Sequence, residues 1–284
     1  MTRLIAPNEF RRGAIMLIVI LLSTACCTSP AIRDDPHDDR RAATTPVLPE
    51  LEGISEVRGA ILAWDLAKLK RAADGLRADA AANADETYRR QLWRGTALFH
   101  AVLVLRADSS EEARSQRKAL TADAVDALQG AAESRSDDSD CHAMLAVLYG
   151  MQISSEPLLA LTLGKRVLDH RAAAAKAINA NPRVGYLEGV SLLNRSSRKS
   201  SVSEAVTLLL EAEQLFAIEA DESRADWQPD WGRPHCRMFL AEAYEQLGDM
   251  DQAMGWFEKA LHMAPQLTRA KQGYERCRQA IKTR

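Results

Sequence analysis

No apolar run in this chain of 284 residues is long enough to cross a bilayer as a helix. The longest, Ala14 to Leu22, reaches about 14 residues even when stretched to Cys27, against the roughly 20 that a span requires. Charge of one sign is also missing. The formal charge is −2, and neither a basic field nor an interleaved arginine and aromatic platform is present, which excludes nucleic acid as a partner. Cysteine is sparse. Beyond the leader only Cys141, Cys236 and Cys277 occur, with no CxxC spacing and no histidine at zinc-ligand spacing, so neither a zinc framework nor any other metal is expected. Three thiols leave one over if two pair in an oxidising compartment. We therefore expect buried free thiols, with Cys236 and Cys277 the one pair worth testing. The chain has no GxSxG, phosphate loop, HExxH or glycine-rich dinucleotide fingerprint, and so shows no signature of an enzyme or of a cofactor.

What is present begins with a leader. Arg3, Arg11 and Arg12 precede the apolar run, and Ser23, Thr24, Ala25 and Cys26 follow it, the order of a secretory signal over residues 1–25. LLSTAC resembles a bacterial lipoprotein box, which implies that Cys26 is lipidated and becomes the new N-terminus. Three acyl chains, as that resemblance implies, hold a protein to a bilayer where one is marginal. The alternative is an ordinary cleaved signal beside a chance cysteine. The residue after Cys26 is not Asp, which in the lipoprotein pattern implies the outer rather than the inner membrane, with the protein facing the periplasm. The stretch from 26 to 50 is rich in Asp and Pro without apolar periodicity, so a disordered tether is expected. Within it, Asp34 to Asp39 (DDPHDD) reads as a mobile charged run, since a metal site needs ligands in fixed geometry.

The most informative stretch is Pro234 to Pro265. Leu240, Tyr244 and Leu247 place one apolar stripe on a helix, and Ala253, Trp256, Phe257, Ala260 and Leu261 place another on a second. Between them Gly248 suits the left-handed residue that ends a helix, and Asp249 suits the cap that begins one. Ala241, Ala253 and Ala260 are small where the two helices must cross closely. Counted from Pro234, residues Leu240, Ala241, Tyr244, Ala253, Phe257, Ala260 and Pro265 take positions 7, 8, 11, 20, 24, 27 and 32, and in this the stretch resembles one tetratricopeptide (TPR) unit. Arg237 stands at position 4, where the family usually has Trp. Such repeats stack in arrays of about 34-residue units.

From Ile54 onward ten helical segments and no convincing strand are expected. A long helix over Ser55 to Ala82 pairs with Thr87 to Arg106. Glu111 to Glu133 carries Ala124, Leu128 and Ala131 at positions 20, 24 and 27. His142, Leu145, Ala146 and Tyr149 open the next unit, whose second helix is displaced by about twelve inserted residues, MQISSEPLLALTLG and neighbours. The apolar content of that insertion predicts packing on the body. Val184 to Asn194 and Ser203 to Ala220 form a further pair, joined by the polar loop RSSRKSSV, with Ala205, Leu209 and Ala212 at positions 20, 24 and 27. Thr268 to Lys282 is expected to close the array as a cap with Arg269, Lys271, Gln272, Glu275, Arg276 and Lys282 facing solvent. LYGMQIS, LGKRVLDHRAAAAKAINANPRVGYLEGVSLLN and PDWG are similar to segments of bacterial exported TPR proteins of unknown molecular function. The expected fold is thus an all-α solenoid of TPR-like hairpins over residues 51–284, with a C-terminal capping helix.

TPR proteins usually bind a peptide or partner helix with first-helix positions 2, 5, 9, 12 and 13. Carried over, this implies a groove of Arg183, Tyr186, Val190, Leu193 and Asn194, continued by His235, Met238, Glu242, Glu245 and Gln246; the alternative is that a neighbouring helix or the insertion fills it. The reading is a membrane-anchored scaffold for an envelope protein or peptide. A second reading, by resemblance, is the TPR lipoprotein that accompanies some TRAP-type solute transporters, which a pocket lined by aromatics and the insertion would favour. A third, an envelope enzyme, needs a titratable cluster around His142, His170 or His235. Trp227 and Trp231 are expected to pack a non-helical connector, and Asp140 to begin a helix rather than bind metal.

Overall fold

A computed structural model describes residues 51, 53–195 and 198–283. The leader, Cys26 and the tether lie outside the described residues. Eleven α-helices and three short 3-10 turns, with no strand, make up what is described. They are α1 (Ile54–Ala63), α2 (Leu66–Gly75), α3 (Ala84–Val104), α4 (Glu111–Ser134), α5 (Ser139–Ser155), α6 (Ala160–Ala175), α7 (Pro182–Arg195), α8 (Lys199–Asp221), α9 (Arg233–Leu247), α10 (Met250–Met263) and α11 (Thr268–Lys282). Neighbours pair as α1/α2, α3/α4, α5/α6, α7/α8 and α9/α10, with α11 lying on α10. The first helices α3, α5, α7 and α9 also meet one another in sequence. The fold is an all-α solenoid of successive hairpins.

The last hairpin forms as its residues dictate. Gly248 has φ +85° and closes α9, and the Asp249 carboxylate accepts from the Gln252 amide at 3.1 Å to open α10. Ala241, Ala253 and Ala260 are fully buried at the crossing. The same holds for Ala124, Leu128 and Ala131 on α4, and for Ala205, Leu209 and Ala212 on α8. Arg237, in the place of the usual Trp, donates to Glu213 on α8 at 2.6 Å and to the Lys259 carbonyl at 3.2 Å, so an ion pair ties the two hairpins where a ring would otherwise pack. Cys141, Cys236 and Cys277 are free and buried.

Three expectations need correction. The long first helix is broken: Trp64 sits in the left-handed region at φ 52°, and Asp65 accepts from the Lys68 amide to start α2 anew. This break adds the eleventh helix. Helix α8 begins at Lys199, so the second half of RSSRKSSV is helical. The inserted stretch packs only in part, with Met151 and Leu163 against the core. Its residues lengthen α5, form a turn at Pro157–Leu159 and begin α6, leaving Leu158 and Leu161 83% and 88% exposed. Asp140 begins α5 as expected, buried in its first turn, and Asp138 is the cap that accepts from the Cys141 amide.

The connector between α8 and α9 packs against the N-terminal helices. Arg58 on α1 pairs with Asp230 at 2.8 Å and donates to the carbonyls of Asp226 and Gln228. Trp93 on α3 donates to the Trp227 carbonyl at 2.6 Å, and Trp231 is buried. Gly232 completes this turn at φ +113°, where a Cβ would also meet the Phe216 ring at 2.9 Å. Burial of such large rings, each worth roughly 1.5–3 kcal/mol, fixes a connector that has no helix of its own.

Candidate functional site

The inner faces of α3, α5 and α7, with α6 as one wall, enclose an apolar cavity of about 490 Å³. Phe99 and Leu103 come from α3, Val147 and Met151 from α5, Val167 and Leu168 from α6, and Tyr186 and Val190 from α7. The cavity exists because α7 packs on α5 rather than on α6. Of the residues of α6 only Ala174 is buried, and Leu168, at the cavity, is 66% exposed. Arg171 of α6 and Arg195 of α7 share Glu188 at the rim.

A second, more polar cavity of about 810 Å³ adjoins the first and shares Leu103, Arg106, Val190 and Asn194 with it. Its far wall is α9 and α11. Glu242 pairs with Arg269 at 2.6 Å, and Glu245 with Arg276 at 2.8 Å. Both arginines are exposed, as expected of a cap, and reach across to pair with α9. Arg106 stands where the two cavities meet. Burial, with Arg269 and Arg117 as like charges nearby, lowers its pKa from the ordinary arginine value.

Of the ten groove residues named from the repeat positions, Gln246 lines the polar cavity and Leu193 is half-buried; the other eight divide. Tyr186, Val190 and Asn194 line the apolar cavity, and Val190, Asn194, Glu242 and Glu245 line the polar one. Arg183, His235 and Met238 are buried instead. They sit in or next to the first turns of α7 and α9, where Trp231 of the connector lies beside Arg183 and Trp64 and His100 lie against His235. Arg183 donates to Asp140 at 3.0 Å and to both oxygens of Glu219 at 2.8 Å, tying α7 to α5 and α8. Burial opposes the charge of Arg183, but Asp140 and Glu219 outweigh it and hold its pKa up. Burial also raises the Asp140 carboxyl, with Arg183 and Asn181 opposing.

Two histidine pairs form that spacing did not reveal. His100 on α3 and His235 on α9 lie with ring centroids 6.2 Å apart, and Trp64 stacks 4.6 Å from His235. Desolvation lowers His100 to about 4 and His235 to about 3, so both rings are neutral at ordinary pH. His142 on α5 and His170 on α6 approach at 2.8 Å between Nδ1 atoms, and the Ser136 carbonyl accepts from His142 Nε2. His170 is lowered by burial and by His142. Among the described residues no group of three or more His, Cys, Asp or Glu is placed to hold a metal. The residues that sequence reasoning missed, Leu103, Arg106, Val167 and Arg171, belong to helices without a clear repeat register or to the displaced one.

No family model matches the chain, and no curated protein matches it. Among solved structures, a thermophilic TPR protein of Thermus thermophilus is similar over 79% of this chain and 98% of its own, at 14% identity and a TM-score of 0.48.

Proposed function

We propose that the protein is a scaffold that binds a partner protein in the groove formed by α3, α5, α7 and α9. The observation that carries this is the continuity of the apolar and polar cavities through Val190 and Asn194. An apolar trough flanked by a polar stretch suits a peptide or helix that offers an apolar face and a solvated edge. Because packed helices form the walls, little ordering falls to the scaffold when a partner docks. Lipidation at Cys26 and the following tether complete the proposal, holding the groove near the outer membrane on the periplasmic side and raising its local concentration for envelope partners.

A second reading is supported by one observation. Helix α6, displaced by the insertion, forms a wall of the apolar cavity opposite Phe99 and Tyr186, a lining that suits an accessory subunit of a solute transporter. Mild cross-linking in the native envelope, beside a Cys26→Ser control, followed by mass spectrometry distinguishes the two. One envelope protein, lost on replacing Val190 and Glu242, supports the scaffold; a solute-binding protein supports the transporter reading. A folded, lipidated protein that captures nothing counts against both.

A further inference from the structure

Two polar groups that line the groove, one a cation and one a buried hydroxyl, have no partner of their own among the described residues. Arg106 lines both cavities and has no ion-pair or hydrogen-bond partner among the described residues. The other arginines of the groove have carboxylate partners: Arg269 pairs with Glu242, Arg276 with Glu245, and Arg171 and Arg195 share Glu188. The second group is Tyr186, which lines the apolar cavity, is 1% exposed and has a hydroxyl without a partner among the described residues. A buried hydroxyl left unpaired costs about 1–3 kcal/mol, so such a group points to an oxygen supplied from outside the chain.

We propose that the occupant of the groove is a partner segment whose apolar side chains fill the cavity between α5, α6 and α7 and whose acidic side chain pairs with Arg106. An oxygen of the same segment accepts from the Tyr186 hydroxyl. The proposal rests on the protein-binding reading above and specifies its partner. Charge complementarity selects the acid: at the apolar cavity Arg106, Arg171 and Arg195 face the single carboxylate of Glu188, so a basic segment meets uncompensated like charge. The space selects a chain of several side chains, because the apolar cavity of about 490 Å³ opens into the polar one of about 810 Å³. A small amphiphile would fill the first and leave the second untouched.

The test uses the purified full chain and three short, end-blocked synthetic peptides. They share a leucine and alanine run and differ at its end in one residue, Asp, Asn or Lys; binding is read by fluorescence anisotropy. The Asp peptide is expected to bind more tightly than the Asn or Lys peptides by roughly tenfold or more. Arg106→Glu is expected to reverse that order, since Arg106 lies on the surface and its replacement leaves the core intact. Tyr186→Phe is expected to weaken the Asp peptide by roughly three- to tenfold with an unchanged melting temperature. Equal binding of the Asp and Lys peptides, or no binding of any peptide, overturns the proposal. So does binding of dodecanoate alone, which makes the groove a small-molecule site. Partner capture in the envelope that persists in Arg106→Glu removes this site while leaving the scaffold reading in place.

Discussion

The hairpins α5/α6 and α9/α10 begin from the same pattern of small and apolar residues and close differently. In α9/α10 the turn is Gly248 and Asp249, and Ala253, Phe257 and Ala260 are all fully buried at the crossing. In α5/α6 the inserted residues lengthen the link between the helices, and Ala177, which takes position 27 once about twelve inserted residues are discounted, falls beyond the end of α6 at Ala175. The second helix still pairs with α5 but buries only Ala174, and within this hairpin α7 packs mainly on α5. Regular spacing thus gives a closed core, whereas the insertion leaves an apolar cavity with exposed leucines beside it. On the proposed reading, binding surface arises where the repeat is interrupted.

The largest expected effect lies where α5 compensates for the interruption. Arg183→Met leaves Asp140 buried without its cation, and unfolding in urea should show a loss of roughly 3–5 kcal/mol. Next comes acid. His100 and His235 are held neutral by burial, with folded pKa values of about 4 and about 3, below the ordinary value of 6.5. The unfolded chain then takes up protons before the folded one, so stability falls as pH drops below about 6.5. Each ring should contribute a loss on the order of 2 kcal/mol between pH 7 and pH 5, and His235→Phe should flatten that dependence in urea titrations.

A smaller loss is expected in the regular hairpin. Ala260→Leu overpacks a closed crossing and should cost roughly 1–3 kcal/mol by thermal or urea unfolding. The corresponding change on the interrupted side, Leu161→Lys, replaces an exposed leucine and should stay within about 0.5 kcal/mol of the parent. Equal costs at Ala260 and Leu161 would mean that α6 is as closely packed as α10, and the comparison would fail.

The legible part of the fold is the part decided by neighbours in sequence. Gly248, Asp249 and the alanines and apolar residues at positions 20, 24 and 27 of three units each act within one hairpin, so spacing alone places them. Repeat positions assign Tyr186, Val190, Asn194, Glu242 and Glu245 to the groove, and these residues line its cavities. The same count assigns Arg183, His235 and Met238, yet they are buried, Arg183 beside Trp231 of the connector and His235 beneath Trp64 and His100. Period gives the face of a helix and not what lies against it. The contact of Arg58 with Asp230 spans 172 residues, and no local pattern encodes it. The break at Trp64 is hidden for a related reason: the apolar period continues through it, and only the left-handed backbone reveals the turn.

The decisive measurement places a photo-cross-linking amino acid at Leu168, beside the apolar cavity, and in a second variant at His262, exposed on α10, then irradiates cells that make each full-length protein. Binding at the interruption predicts an adduct with one envelope protein at Leu168 and none at His262. An adduct at His262 with none at Leu168 would contradict it, placing the partner on the regular hairpin and away from the interruption.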